Sequence, residues 1–518
     1  MMGAAPLSPS LALSTVRALI DARAADAPGD IYFVAPQSGR TLRFGDLQRS
    51  CRAVAAALSA RGLAPGAHVS LVMGNGIATV RLLLGALYGG YCVNPVNLLS
   101  QPEQMRYVLD HADARLVLAA PDWRDRARAM TVEQPRPIEV LAIDPDDDDL
   151  LAALGAGGDA DADLPAPAPE SLALLMYTSG TTGKPKGVML SQANLAANAQ
   201  AISAEHRLGR SDRVTAVLPL YHINAFAVTM LGPLAHGGSL VMPPRFSATT
   251  FWDMVITQRC TWLNVVPTMI SYLLDGPAPA REAIAAVRFC RSASAALPPE
   301  HHRAFEAKFG IGIVETMGLT ETVAPSFSNP IDPARRKVGS VGRASGCDAR
   351  VVDGDGQALA DGRVGEIVIR GPQVTAGYYK NAESTAAAFF PGGWLRTGDL
   401  GYRDGDGFFF ITGRIKELII KGGENIAPRE IDEALLKHPA VLDAAAVGIP
   451  DRHYGQEIMA CIILRDGERA SEDELREFCG RELGRYKTPK VFRFVTDLPR
   501  GPSGKVQRLK LVDLAPAG

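Results

Sequence analysis

"MYTSGTTGKPKGVMLS", residues 176–191, sets three glycines and two lysines among a run of hydroxyl side chains. Gly180, Gly183 and Gly187 let the backbone turn where a Cβ would block it. Thr178, Ser179, Thr181 and Thr182 supply hydroxyl donors, and Lys184 and Lys186 supply positive charge. A loop of this kind wraps an anion, phosphate being the usual one. The same composition also marks solvated turns. An ordinary P-loop is excluded, because Gly183-Lys184 is followed by Pro185 where that motif needs Ser or Thr.

Working outward, much of the first 420 residues alternates helical patterns with short apolar runs. "HVSLVMGNG" (68–76) reads as a strand, "ATVRLLLGALYGG" (78–90) as a buried helix and "ARLVLAA" (114–120) as a strand. "SLVMPP" (239–244) and "WLNVVP" (262–267) continue the series. The alternation predicts α/β layers with mostly parallel sheets. Residues 152–170, small, acidic and proline-rich, read as a surface linker. The last hundred residues differ. "APREIDEALLKH" (427–438) carries proline at an early helix position, and "SEDELREFCGREL" (471–483) opens with a Ser471–Glu474 capping box. With the strands expected in "AAAVGIP", "EIMACIIL" and "VFRFVTDLP", they predict a small α+β domain that begins near "GRIK", 413–416.

Composition sets the frame for function. The chain has 518 residues, room for several cores, with 47% hydrophobic and 21% charged residues. A formal net charge of −2 offers no electrostatic case for nucleic acid or an anionic membrane. The one strong charge run, Asp146 to Asp149, reads as a solvated loop. Seven cysteines, Cys51, Cys92, Cys260, Cys290, Cys347, Cys461 and Cys479, show no C-x-x-C spacing, so neither zinc nor a disulfide framework is indicated. That usage suits a reducing compartment, and no run is long enough to span a membrane. The expected location is the cytoplasm.

Four further stretches join the opening loop: "ETMGLTET" (315–322), "WLRTGDLGYRDGDG" (394–407), "GRIKELIIKGGENIAP" (413–428) and "LPRGPSGKVQR" (498–508). In this order the chain resembles the adenylate-forming superfamily, which includes acyl-CoA synthetases, luciferases and peptide-synthetase adenylation domains. The resemblance runs from about residue 30 to 510. It implies a large multi-layer N-terminal domain (1–413) with α/β sheets and a small β subdomain, and a small mobile α+β domain (414–518). The implied reaction joins a carboxylate to ATP with loss of pyrophosphate, then passes the acyl group to a thiol. Implied co-substrates and cofactors are ATP, Mg²⁺ and coenzyme A, and the partner is a small carboxylic acid. Monomer and homodimer both remain open.

The same resemblance implies site residues. Thr178, Ser179, Gly180, Thr181, Thr182, Gly183 and Lys186 cradle the departing phosphates. Glu321 holds Mg²⁺, a hard cation that prefers oxygen ligands. Thr320 contacts the α-phosphate. Asp399 and Arg414 bind ribose, and Lys505 bridges carboxylate and α-phosphate as a mobile point charge. Lys416 falls at the hinge, and Gly422 and Gly423 line the thiol tunnel. Two positions depart from the common pattern. Met317 stands where many relatives place a tyrosine against adenine, and Ser294 and Ala295 replace a glycine-rich adenine segment.

His222, in "PLYHINAF", matches a gate between the ATP and acyl pockets. The matching acyl-pocket positions are Ile223, Asn224, Asn264 and Ala293, with Thr316, Gly318, Val323 and Ala324. A fatty-acid pocket is mainly apolar, and buried amides need partners. Two asparagines and a threonine therefore point to a short acid with a polar or charged tail: hydroxy-, dicarboxylic or sulfonated. Alternatives are a medium-chain aliphatic or aromatic acid, with the asparagines satisfying backbone groups, and a carrier protein in place of coenzyme A.

Overall fold

The structure is a computed structural model, and the residues described are 13–132, 136–155, 164–178, 184–500 and 506–515. Mixed α/β layers form a large N-terminal region, followed by a small α+β region.

One sheet of six strands runs in the order Glu139–Ala142, Ala114–Ala119, His68–Val72, Cys92–Pro95, Leu172–Thr178, Lys186–Ser191. All neighbours pair in parallel except the last two. Parallel pairing needs crossovers, which the intervening helices supply. A second sheet of nine strands is parallel through Phe289–Ser292, Trp262–Val265, Arg213–Thr215 and Ser239–Val241. Its two ends close with antiparallel pairs. One apolar cluster joins the two sheets through the helices Phe44–Ala60, Ile77–Tyr88 and Gln192–Glu205. Ile77–Tyr88 is apolar on all sides and buries every residue but Arg81, as expected of a helix between two layers.

The acidic run 146–149 does more than face water. Asp146 Oδ1 accepts from the Ile77 amide at the start of that buried helix, and Asp148 pairs with Arg40. A negative side chain there complements the helix N-terminus.

A five-stranded antiparallel sheet around Trp394–Arg403 and Phe409–Arg414 forms the small β subdomain. Beyond the 3₁₀ turn Ile415–Glu417, a last sheet pairs Val441–Asp451 with Gly455–Leu464 over ten registered positions. Helices Pro428–Leu436 and Glu472–Leu483 pack on it, the second with the Ser471–Glu474 capping box in place. The strands and helices expected for this region all form. Among the described residues no helix is long and apolar enough to cross a membrane, and all seven cysteines are free thiols.

Candidate active site

The opening stretch is an antiparallel pair at the edge of the six-stranded sheet. Thr178 lies opposite Lys186, so both frame the mouth of the connecting loop. The loop residues Ser179, Gly180, Thr181, Thr182 and Gly183 lie outside the described residues, as does Lys505. The outer strand is met by residues 375–379: Met189 N donates to Gly377 O, Tyr379 N donates to Gly187 O, and Val188 bridges Tyr378. That pairing places the Tyr378 ring 5.0 Å from Lys186 Nζ. The Tyr378 hydroxyl donates to Glu321 Oε1 at 2.9 Å, and the Thr375 amide donates to the Glu321 carbonyl. Thr320 and Glu321 occupy the one-turn 3₁₀ helix Thr320–Thr322. Tyr378 was not foreseen from the sequence; it links Lys186 to Glu321.

A cavity of about 510 Å³ opens between the two regions. Ser294, Ala295, Met317, Asp399 and Arg414, expected at the nucleotide, line it together with Thr316 and Gly318, expected in the acyl pocket. Asp399 and Arg414 are register partners on adjacent strands, and Arg414 Nε donates to Asp399 Oδ1 at 2.7 Å. Asp399 is buried, and its Oδ2 has no hydrogen-bond partner. An orphaned carboxylate oxygen costs free energy unless something donates to it, and paired hydroxyls do so well. Arg500, Val506 and Arg508, which flank the segment carrying Lys505, line the same cavity from the other side. Gly422 and Gly423 are not part of its wall. Lys416 sits exposed in the 3₁₀ turn between the regions.

The backbone around the cavity is strained. Ser294 (φ 75°), Val323 (φ 58°) and Ala324 (φ 79°) are left-handed without being glycine. For a β-branched residue such as Val323 that is an outlier, and such strain collects at functional sites. Gly318 is required by close approach: a Cβ there would lie 1.8 Å from the Ala324 carbonyl oxygen.

Of the positions expected to form an acyl pocket, Thr316 and Gly318 line the cavity, and Asn224 meets its wall through Ser294. His222 stacks edge-on to Tyr221 at 4.9 Å, and Ile223 precedes a π-helical segment, Asn224–Leu231. Widened turns of this kind recur at functional sites. Asn264 and Ala293 are buried beside it. The two asparagines neither satisfy backbone groups nor present free carbonyls. Both Oδ1 atoms accept from Arg291, at 2.8 Å for Asn224 and 2.6 Å for Asn264. Asn224 Nδ2 in turn donates to Ser294 Oγ at 3.2 Å, which ties the cluster to the cavity wall.

Arg291 was missed by sequence reasoning. It lies on strand Phe289–Ser292, is 1% exposed, and its Nε has no partner. Burial pulls its pKa down to about 9, which leaves it charged at neutral pH, and no carboxylate among the described residues offsets that charge. His206 nearby is pushed down to about 3 by burial and then by Arg291 and Arg288, so it stays neutral and adds no second positive charge. The signal was a lone arginine in "FCRSAS", a run that otherwise reads as a buried strand.

Glu315 is a third residue not foreseen. It lines the cavity, is buried, and its Oε2 has no partner. Burial raises its pKa to about 7, opposed by Arg429 from helix Pro428–Leu436.

The sequence matches the AMP-binding enzyme family over residues 20–379 and the AMP-binding enzyme C-terminal domain over 430–505. A sulfoacetate–CoA ligase of Cupriavidus necator is 59% identical over 97% of this chain and 98% of its own. An oxalate–CoA ligase of Arabidopsis thaliana is 35% identical over 88% of this chain and 90% of its own. The crystal structure of ATP-bound MatB from Rhodopseudomonas palustris superposes with a TM-score of 0.90 at 31% identity, over 96% of this chain and 99% of that one. With both family regions matched in order, the chain belongs to the AMP-binding enzyme family, the adenylate-forming enzymes that its sequence resembles.

Proposed function

We propose that this protein is an AMP-forming acid–CoA ligase for a short carboxylic acid with an anionic tail, sulfoacetate being the leading candidate. The observation that carries the reading is Arg291, a buried guanidinium held by Asn224 and Asn264 and offset by no carboxylate among the described residues. A buried charge is stable only when paired, so a bound anion is the missing partner. A sulfonate or second carboxylate supplies it, and an alkyl tail does not. The names of the two relatives, both ligases of short dianionic acids, support the same class.

In this reading the loop 179–183 and Lys186 receive the β- and γ-phosphates, with Thr178 at the loop's base. Thr320 donates to the α-phosphate, and Asp399 Oδ2 accepts from ribose while Arg414 fixes its partner oxygen. Met317, with Ser294 and Ala295, packs against adenine; a thioether suits a ring face. Glu321 is a single oxygen donor, which fits Mg²⁺, since that ion keeps waters and phosphate oxygens around one or two carboxylates. Bound there, Mg²⁺ would neutralise phosphate charge.

Lys505 bridges the acid's carboxylate and the α-phosphate, so opposing charges meet at the moment of attack. The carboxylate oxygen bonds to α-phosphorus and pyrophosphate leaves with the electron pair. The small domain, 414–518, then turns about Lys416, His222 opens the acyl side, and Gly422–Gly423 swings in. The thiol sulfur bonds to the acyl carbon, its proton passes to solvent, and AMP leaves. Ile223, Ala293, Thr316, Gly318, Val323 and Ala324 shape the space between.

Pyrophosphate exchange with sulfoacetate, oxalate, malonate, propionate and octanoate, run with and without coenzyme A, tests the proposal. Acids with an anionic tail should give the highest kcat/KM, with CoA thioester formed. Activity climbing with alkyl length to octanoate overturns the substrate class, and an adenylate that CoA does not consume overturns the acceptor.

A further inference from the structure

The hairpin Ile419–Lys421 and Glu424–Ile426 turns through Gly422 and Gly423, both left-handed at φ 57° and 87°. Residues 422–425 are exposed, yet the base of the turn is tied down from four directions. Gly422 N donates to Tyr454 O at 2.8 Å. The Tyr486 hydroxyl donates to Lys421 O, and Lys421 Nζ donates back to Tyr486 O at 3.0 Å. Lys421 Nζ also pairs with Glu457 at 2.6 Å, with both side chains under 10% exposed. The Tyr486 and Tyr454 rings stand 5.0 and 5.6 Å from that ammonium, and both tyrosines are otherwise exposed, at 40% and 47%.

A buried ion pair contributes little net stability, because desolvation offsets the attraction. What it does contribute is shape. Here a buried lysine, a carboxylate and two tyrosines fix one exposed two-glycine tip that lies off the cavity wall. Fixing a solvent-facing turn so firmly suits a tip that must enter a defined space, and functional geometry needs support from such outer contacts.

We infer that Lys421 is a positioning residue for acyl transfer to the thiol: through Glu457, Tyr486 and Tyr454 it holds the Gly422–Gly423 turn in the shape that admits the pantetheine arm of coenzyme A. The inference rests on the two-step reading above. Lys421 touches neither ATP nor acid in the first step, so its loss separates the two half-reactions.

The test uses the full-length protein with Lys421→Met, Lys421→Arg and Tyr486→Phe, measuring pyrophosphate exchange and single-turnover transfer from preformed acyl-adenylate to CoA. Exchange should stay within about twofold of wild type in all three, and transfer should fall roughly 10- to 100-fold in Lys421→Met, the scale of a misplaced reacting group. Tyr486→Phe should show the same one-sided loss in smaller degree, and Lys421→Arg, which keeps charge and donors, should recover most of the rate. Equal losses in both half-reactions, or unimpaired transfer in folded Lys421→Met, overturn the inference. If Lys421→Met does not fold, Tyr486→Phe decides alone, since it removes a single hydroxyl. Wild-type protein without exchange activity overturns the ligase reading and this inference with it; wild-type exchange with unimpaired transfer in the variants overturns this inference only.

Discussion

Replacing Arg291 by methionine is the most informative single change. Methionine is unbranched and fills irregular gaps, so the substitution removes charge and donors with little loss of packing. Two short hydrogen bonds to Asn224 and Asn264 disappear, and with them the positive charge behind the Ser294 wall. Losing one member of a buried ion pair costs about 3–5 kcal/mol, so kcat/KM for sulfoacetate should drop roughly 10²- to 10⁴-fold. Propionate breaks no ion pair and should lose less than about tenfold, under about 1.4 kcal/mol. Stability moves the other way. The empty pocket no longer buries an uncompensated cation, a relief of several kcal/mol set against two asparagine carbonyls at about 1–3 kcal/mol each. The melting temperature should therefore hold or rise while selectivity collapses. Exchange assays on the two acids, with a thermal melt of each protein, measure both effects. Equal losses for sulfoacetate and propionate, or no loss at all, refute the assignment of Arg291 to the acid's tail.

Asp399→Ala removes the orphaned acceptor, so KM for ATP should rise roughly 10- to 100-fold, the scale of hydrogen bonds to a charged group; an unchanged KM for ATP refutes a ribose contact. Gly318→Ala drives a Cβ to 1.8 Å from a backbone oxygen. It should destabilise by about 1–3 kcal/mol or more and weaken nucleotide binding together, and a wild-type melt and titration speak against that close approach. Glu315 has its pKa raised to about 7 by burial, whereas the unfolded carboxyl ionises near 4.3. Between those values the folded chain holds the extra proton, so this group's contribution falls as pH rises from about 4.3 to about 7, then levels off. Glu315→Gln removes that slope; denaturant midpoints at pH 5 and pH 8 that shift in parallel for both proteins rule the effect out.

Much of the fold was legible because periodicity carries it. The buried helix Ile77–Tyr88, the strands at 68–72 and 114–119, and the capped helix at 472–483 all follow local patterning. Asp399 and Arg414 were found through motifs, but their pairing across two strands belongs to register, which no single stretch encodes. Arg291 stayed hidden because a lone arginine in an apolar run has no periodic signature, and its partners stand 67 and 27 residues away. The asparagines stood out in the sequence as polar, but it does not show that their direct partner is the Arg291 side chain. The left-handed Val323 and Ala324 were equally invisible, since nothing in their chemistry favours that conformation.

The strand Lys186–Ser191 has one further consequence. Its outer edge is completed by a segment whose bonds to it span 186 residues of chain, as in Thr375 Oγ1 to Met189 O. Loop closure over such a distance is entropically late, and non-local pairings set the pace of folding. Until residues 375–379 arrive, the strand Lys186–Ser191 is open on one side, and Tyr378 cannot reach Glu321. During synthesis the first half of the chain would emerge with a raw, unpaired strand edge, the kind that invites association between neighbouring chains. In the proposed reading nucleotide cannot rescue that intermediate, because the Asp399–Arg414 pair has not yet formed. The refolding yield of this protein should thus depend on dilution more than on added ATP, until the β subdomain has docked.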